Sequence, residues 1–123
     1  MAEDNPVNMM IAVAMLERWG VHVVQVVDGA AAVDAVHVAA RAGTPFDVVV
    51  MDVQMPIMGG HEAARELRRY YDRATLPILA LTAAALVSER DEALAAGMNE
   101  FLTKPIDATK LRHALAGLVR KPA

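Results

Sequence analysis

Five side chains able to hold a cation or an anion stand where the apolar pattern of this 123-residue chain breaks off. Glu3 and Asp4 precede the first helical stretch, Asp52 ends a Val-rich run, Thr82 ends a second run and Lys104 ends a third. If those runs lie side by side in one sheet, three carboxylates, a hydroxyl and an ammonium converge. Carboxylates ~4–5 Å apart repel by roughly 3–4 kcal/mol per pair at an effective dielectric of ~20, so a cation must offset them. Oxygen donors without sulfur or imidazole suit a hard ion, and few carboxylates plus waters suit Mg²⁺ better than a caged Ca²⁺. Asp52 could then attack phosphorus as a carboxylate nucleophile, with Lys104 and Thr82 meeting the remaining phosphoryl oxygens.

The elements that would position these groups can be read from the periods. Asn5-Pro6 starts a helix, Asn as cap and Pro at the first position, and helical spacing of Met10, Val13, Ala14 and Leu16 carries it to Trp19 and Gly20. Val21 to Val27 is rich in β-branched residues and predicts a strand; Asp28-Gly29 turns the chain into a helix over 30–41, stopped at Gly43. Phe46 to Met51 is apolar without alternation, as expected of a strand covered on both faces, and stops at Asp52. A loop from Val53 to Gly60 leads to a helix over 61–71. Pro77 to Leu81 predicts the next strand, 87–96 a helix closed by Gly97, 99–103 a short strand, and Asp107 caps a last helix to about Val119.

Strands alternating with helices of ten or more residues define one α/β domain over 1–123, with a parallel sheet and helices on both faces. In such a sheet ligands bind beyond the carboxyl ends of the strands, where Asp52, Thr82 and Lys104 fall. Composition closes off other chemistries. A net charge of -3 gives no general attraction for nucleic acid or acidic membranes, and the absence of cysteine removes disulfides, thiolate metal sites and cysteine nucleophiles. No apolar run approaches the ~20 residues that span a bilayer, so a cytoplasmic domain without membrane contact is expected. With 55% hydrophobic residues but only 4% aromatic, the core must be small and aliphatic.

Ala2-Glu3-Asp4-Asn5-Pro6-Val7-Asn8, Met51-Asp52-Val53-Gln54-Met55-Pro56, Ala80-Leu81-Thr82-Ala83 and Lys104-Pro105-Ile106, in this order and each at a strand end, resemble a response-regulator receiver domain. The resemblance runs from Ala2 to about Leu118, and the first two motifs are similar to the branch appended to hybrid sensor histidine kinases. It implies a flavodoxin-like doubly wound sheet of order 2-1-3-4-5, strands counted along the chain. It implies that Asp52 is the phosphoacceptor, Asp4 the direct Mg²⁺ ligand, Glu3 an acid acting through water, and the main-chain oxygen of Gln54 the third protein ligand. Thr82 and Phe101 are then the switch pair, and Lys104 the phosphoryl-binding lysine. The implied partners are a histidine kinase core and a histidine phosphotransfer domain, docking near Met9, Val13, Pro105 and Ile106; the parent chain would be a hybrid histidine kinase. Nothing resembles a DNA-binding module.

The chain departs from that pattern at its start, because only Met1 and Ala2 precede Glu3 where the family has a whole first strand. The neighbours of that strand would lose a partner, which is costly inside a sheet. A shortened start, a dimer formed by strand swap, or a sheet that closes up would each answer this; a truncated excerpt of a longer chain is the reading favoured. Gly59, where an acid often stands, should loosen the loop beyond Asp52. His22, His37, His61 and His113 lack ligand spacing and read as surface or partly packed residues, the eight methionines as core filler, and Arg65, Arg68 and Arg69 with Glu62 and Glu66 as a solvated helix face.

Two other classes of function remain compatible with these residues. An aspartyl-phosphate hydrolase would want an acid two residues after Asp52, where Gln54 stands. A pseudo-receiver would only bind partners, its site disabled by the missing strand.

Overall fold

Side chains that alternate every second residue meet two different layers in this molecule, which is why the runs ending at Asp52 and Thr82 are buried on both faces. The computed structural model describes residues 1–3, 5–20, 23–53, 58–73, 75–82, 87–104 and 107–118. Along them run helix α1 (Pro6–Arg18), α2 (Gly29–Arg41), strand β1 (Val49–Asp52), α3 (Gly60–Arg68), β2 (Ile78–Thr82), α4 (Val87–Ala95), β3 (Glu100–Thr103) and α5 (Ala108–Leu118). The three strands form a parallel sheet in the order β1-β2-β3, with Val49 opposite Ile78 and Leu79 opposite Glu100. Val49, Met51, Ile78 and Ala80 pack against Val33 and Val36 of α2, Ala63 and Leu67 of α3, and Ala93 of α4. Val50, Leu79 and Leu81 point the other way, to Leu16 of α1 and to Leu111 and Leu115 of α5. Burying each such leucine or isoleucine is worth ~1.5–3 kcal/mol.

The sequence expectation of a doubly wound α/β sheet is met, with element ends shifted by a few residues. Asn5 caps α1, its Oδ1 accepting from the N–H groups of Val7 and Asn8 at 2.9 and 3.1 Å, with Pro6 inside the first turn. Asp28, expected in a turn, is the cap of α2, and its Oδ1 accepts from Ala31 N–H at 2.7 Å.

The strand expected over 21–27 is a correction. Val21 and His22 lie outside the described residues, and between Val23 and Val27 only Val26 forms a bridge. β-branched composition supplies the propensity, but a ladder needs a partner of equal length. That partner is a stub. Ala2 bridges in parallel to Val26 on one side and Met51 on the other, so the spatial order is 26, 2, then β1, β2 and β3: the expected 2-1-3-4-5 with a first strand one residue wide. Ala2 N–H donates to Val50 O at 2.8 Å and Asp52 N–H to Ala2 O at 2.9 Å. On the other side Val26 N–H donates to Met1 O at 3.0 Å and Glu3 N–H to Val26 O at 3.1 Å. The sheet has therefore not closed over the gap. Ahead of the stub lies an apolar cleft of about 350 Å³ between Val23, Val24 and Val26 on one wall and Val48 and Val50 on the other. The amino group of Met1 reaches along this cleft to Val24 O at 2.7 Å, and burial lowers its pKa to about 6.

Arg68 is the second correction. Expected on a solvated helix face, it lies half-buried, donating to the carbonyls of Gly97 (2.7 Å) and Leu76 (2.8 Å) and to Asn99 Oδ1 (2.9 Å). Gly97 has φ of +103°, and a Cβ there would meet Arg68 Cγ at 2.5 Å. Arg69 does pair with Glu66 as expected, at 3.4 Å.

Candidate functional site

Strand register brings the first acid to the central one. Because Ala2 lies opposite Met51, the next residues, Glu3 and Asp52, are neighbours across the stub and leave the same side of the sheet. Lys104 joins them from beyond β3, with its N–H donating to Thr82 O at 2.7 Å. Its Nζ donates to Asp52 Oδ2 at 2.6 Å and lies 2.7 Å from Glu3 Oε1. Glu3, Asp52 and Thr82 are the buried polar side chains here, at 0%, 4% and 6% exposure. Charges taken out of water persist only when paired, and here two carboxylates share one ammonium. Burial opposes the charge on Lys104, yet the hydrogen bond to Asp52 and the contact with Glu3 outweigh it and hold its pKa above the ordinary lysine value.

Local structure orients each member. Glu3 Oε2 accepts from Asn5 N–H at 3.3 Å, so the cap of α1 also fixes the acid ahead of it. Asp52 is set by the Ala2 carbonyl through its N–H and by Val53, whose N–H donates to Leu81 O at 2.9 Å. The two-residue period puts Thr82 on the face of Ala80, and Phe101, opposite Ala80, points to that same face, half-buried against the core. The switch pair read from sequence thus shares one side of adjacent strands. The roles of the Ala2 carbonyl and of Asn5 in aiming the acids carry no sequence signal, since both act through backbone groups.

Asp4 and Gln54, expected as metal ligands, and Pro105 and Ile106, expected at a docking surface, lie outside the described residues. Among the described residues no three acidic or imidazole groups gather as a metal cluster. What they do contain fits a hard divalent ion: oxygen donors only, a surplus of one negative charge over Lys104, and Glu3 Oε1 held by an ion pair with no hydrogen bond of its own.

A parallel sheet wound on both faces, with acids and a lysine gathered at its carboxyl edge, defines a doubly wound α/β domain whose ligand site lies beyond the ends of its strands. The chain belongs to the response regulator receiver domain family, whose model matches residues 1–116. It is 41% identical to the sensor protein GacS of Pseudomonas syringae pv. syringae over 98% of its own length and 14% of the relative's. It is 34% identical to the signal transduction histidine-protein kinase BarA of Escherichia coli over 92% of its length and 12% of that protein's. The chain spans about one seventh of such relatives. The receiver domain of a sensor histidine kinase from Pseudomonas aeruginosa, crystallised with a magnesium ion in its active-site cleft, superposes with a TM-score of 0.84 at 37% identity, covering 98% of this chain and 94% of that one. The receiver domain of Ssk1 of Saccharomyces cerevisiae, solved with the histidine phosphotransfer protein Ypd1, superposes with a TM-score of 0.80 at 27% identity, covering 94% and 83%.

Proposed function

We propose that this chain is the phosphoacceptor of a phosphorelay, and that Asp52 takes a phosphoryl group from a phosphohistidine of a partner. The observation that carries the reading is the ammonium of Lys104 shared between Asp52 and Glu3 at 2.6 and 2.7 Å. A carboxylate oxygen of Asp52 bonds to phosphorus while the phosphorus–nitrogen bond breaks, and the imidazole nitrogen keeps the electron pair and takes a proton. Lys104, already beside Asp52, follows the charge from the carboxylate to the phosphoryl oxygens, and the Thr82 hydroxyl on the neighbouring strand end supplies a further donor. Glu3, Asp4, Asp52 and the main-chain oxygen of Gln54 are the residues that would hold Mg²⁺, which when bound supplies charge neutralisation for the incoming phosphoryl group. The magnesium of the Pseudomonas receiver and the oxygen-only donors here support that assignment.

The proposed partners are a histidine kinase core and a histidine phosphotransfer domain, as the relatives and the Ypd1 complex suggest. Two of the contacts expected from sequence need correction: Met9 and Val13 are buried, on the stripe of α1 that they share with Ala12 and Leu16. The large apolar side chains that α1 leaves exposed are Val7, Met10 and Ile11, and these form the proposed docking face. The hydrolase reading loses support at Gln54, and the pseudo-receiver reading loses it at Glu3, which the stub still brings to Asp52.

Incubation with acetyl phosphate and Mg²⁺, followed by intact mass, tests the proposal. A single phosphoryl adduct that needs Mg²⁺ and disappears in Asp52→Asn is expected. Continuous turnover of a phosphomonoester, or an adduct at another residue, would overturn it.

A further inference from the structure

Two glycines outside the charged cluster have the backbone of the acceptor loop pressed against them. A Cβ built on Gly60 would lie 2.4 Å from Asp52 O and 2.8 Å from Val53 Cα; one built on Gly29 would lie 2.2 Å from Met58 O and 2.9 Å from Met58 C. Neither glycine has positive φ, unlike Gly20, Gly43 and Gly97, so conformational freedom does not explain them. What remains is close approach of main chain to main chain. Both contacts are also hydrogen-bonded: Gly60 N–H donates to Val53 O at 2.9 Å, and Gly29 N–H to Met58 O at 3.0 Å. The start of α2, fixed by the Asp28 cap, thereby grips the far end of the loop that leaves Asp52, while the start of α3 grips its near end.

Resting on the proposed role of Asp52, we infer that Gly60 and Gly29 are positioning residues for phosphoryl acceptance: they let two helix N-termini hold Val53 and Met58, one on each side of the acceptor loop, and so fix Asp52 relative to Glu3 and Lys104. Backbone carbonyls cannot swing aside as a flexible side chain can, so a methyl group at either place must displace the loop. At Gly60 the atom struck belongs to Asp52 itself. A misplacement of ~1 Å at a reacting group can cost ~10²-fold in rate.

The test is the rate of Asp52 modification by acetyl phosphate at saturating Mg²⁺, well below the melting temperature, beside the melting temperature itself and the amide NMR shifts of Asp52 and Val53. Gly60→Ala is expected to slow modification at least ~10-fold and Gly29→Ala by ~3–10-fold, with the Asp52 and Val53 amides shifted. Gly117→Ala, on the exposed face of α5 with nothing within 4 Å, should leave all three unchanged apart from a slightly higher melting temperature. If Gly60→Ala does not fold, Gly29→Ala and Asp28→Ala carry the test; the latter frees the start of α2 without adding an atom and should slow modification ~2–3-fold. Folded variants that melt lower yet react at the wild-type rate would overturn the inference, because their glycines are then merely structural. Wild-type protein that takes no phosphoryl group at Asp52 would instead sink the receiver reading.

Discussion

The Nζ of Lys104 lies 2.7 Å from Oε1 of Glu3, a carboxylate with no exposed surface, while donating to Asp52 at 2.6 Å. Removing one partner of a buried ion pair costs ~3–5 kcal/mol, because the other charge is stranded. Lys104→Met strands two. We expect a loss of about 3 kcal/mol in urea unfolding without divalent cations, much of it regained with saturating Mg²⁺. Glu3→Gln added to Lys104→Met should be less destabilised than Lys104→Met alone. Additive losses in that double-mutant cycle would show that the two groups do not interact.

Arg68 ties α3 to the segments before β2 and β3, through Leu76 O, Gly97 O and Asn99 Oδ1. Hydrogen bonds from a charged donor contribute ~1.5–3 kcal/mol each when their loss leaves buried acceptors unpaired, though not additively. Arg68→Met is expected to lower stability by about 3 kcal/mol in chemical denaturation while Asp52 is modified by acetyl phosphate at an unchanged rate. A loss below about 0.5 kcal/mol, the range of ordinary surface substitutions, would return Arg68 to the solvated face that its spacing suggests.

On α1, Met10 is 65% exposed while Val13 is 7% exposed. Met10→Glu should slow phosphoryl transfer from a histidine phosphotransfer domain by ~10-fold or more, about 1.4 kcal/mol of lost docking, with acetyl phosphate reactivity unchanged. Val13→Glu should instead unfold the protein, visible by circular dichroism. Equal transfer rates for Met10→Glu and wild type would move the docking face elsewhere.

What the sequence disclosed depended on how local the cause was. Asp52, Thr82 and Lys104 were legible because each ends an apolar run, and in a parallel sheet run ends share one edge. Asn5 and Asp107 were legible because a cap is decided within three residues. The stretch 23–27 was misread because β-branched composition promises a strand that only a neighbour can complete. Arg68 was misread because spacing among arginines and glutamates says nothing of the carbonyls that another segment brings within reach. Gly29 and Gly60 were opaque, since the crowding that requires them is created by Met58, far along the chain, in one case and by Asp52 and Val53, across a loop, in the other.

The narrow first strand also sets a tolerance. Neighbouring residues of a strand face opposite ways, so Ala2 touches the α2–α3 layer while Glu3 meets Asp52. Sliding this segment by one position would exchange the two, driving an acid into the oily layer and offering Asp52 a methyl group. Four main-chain hydrogen bonds around Ala2 decide between those outcomes. The charge count of the site is thus written in the alignment of a single residue.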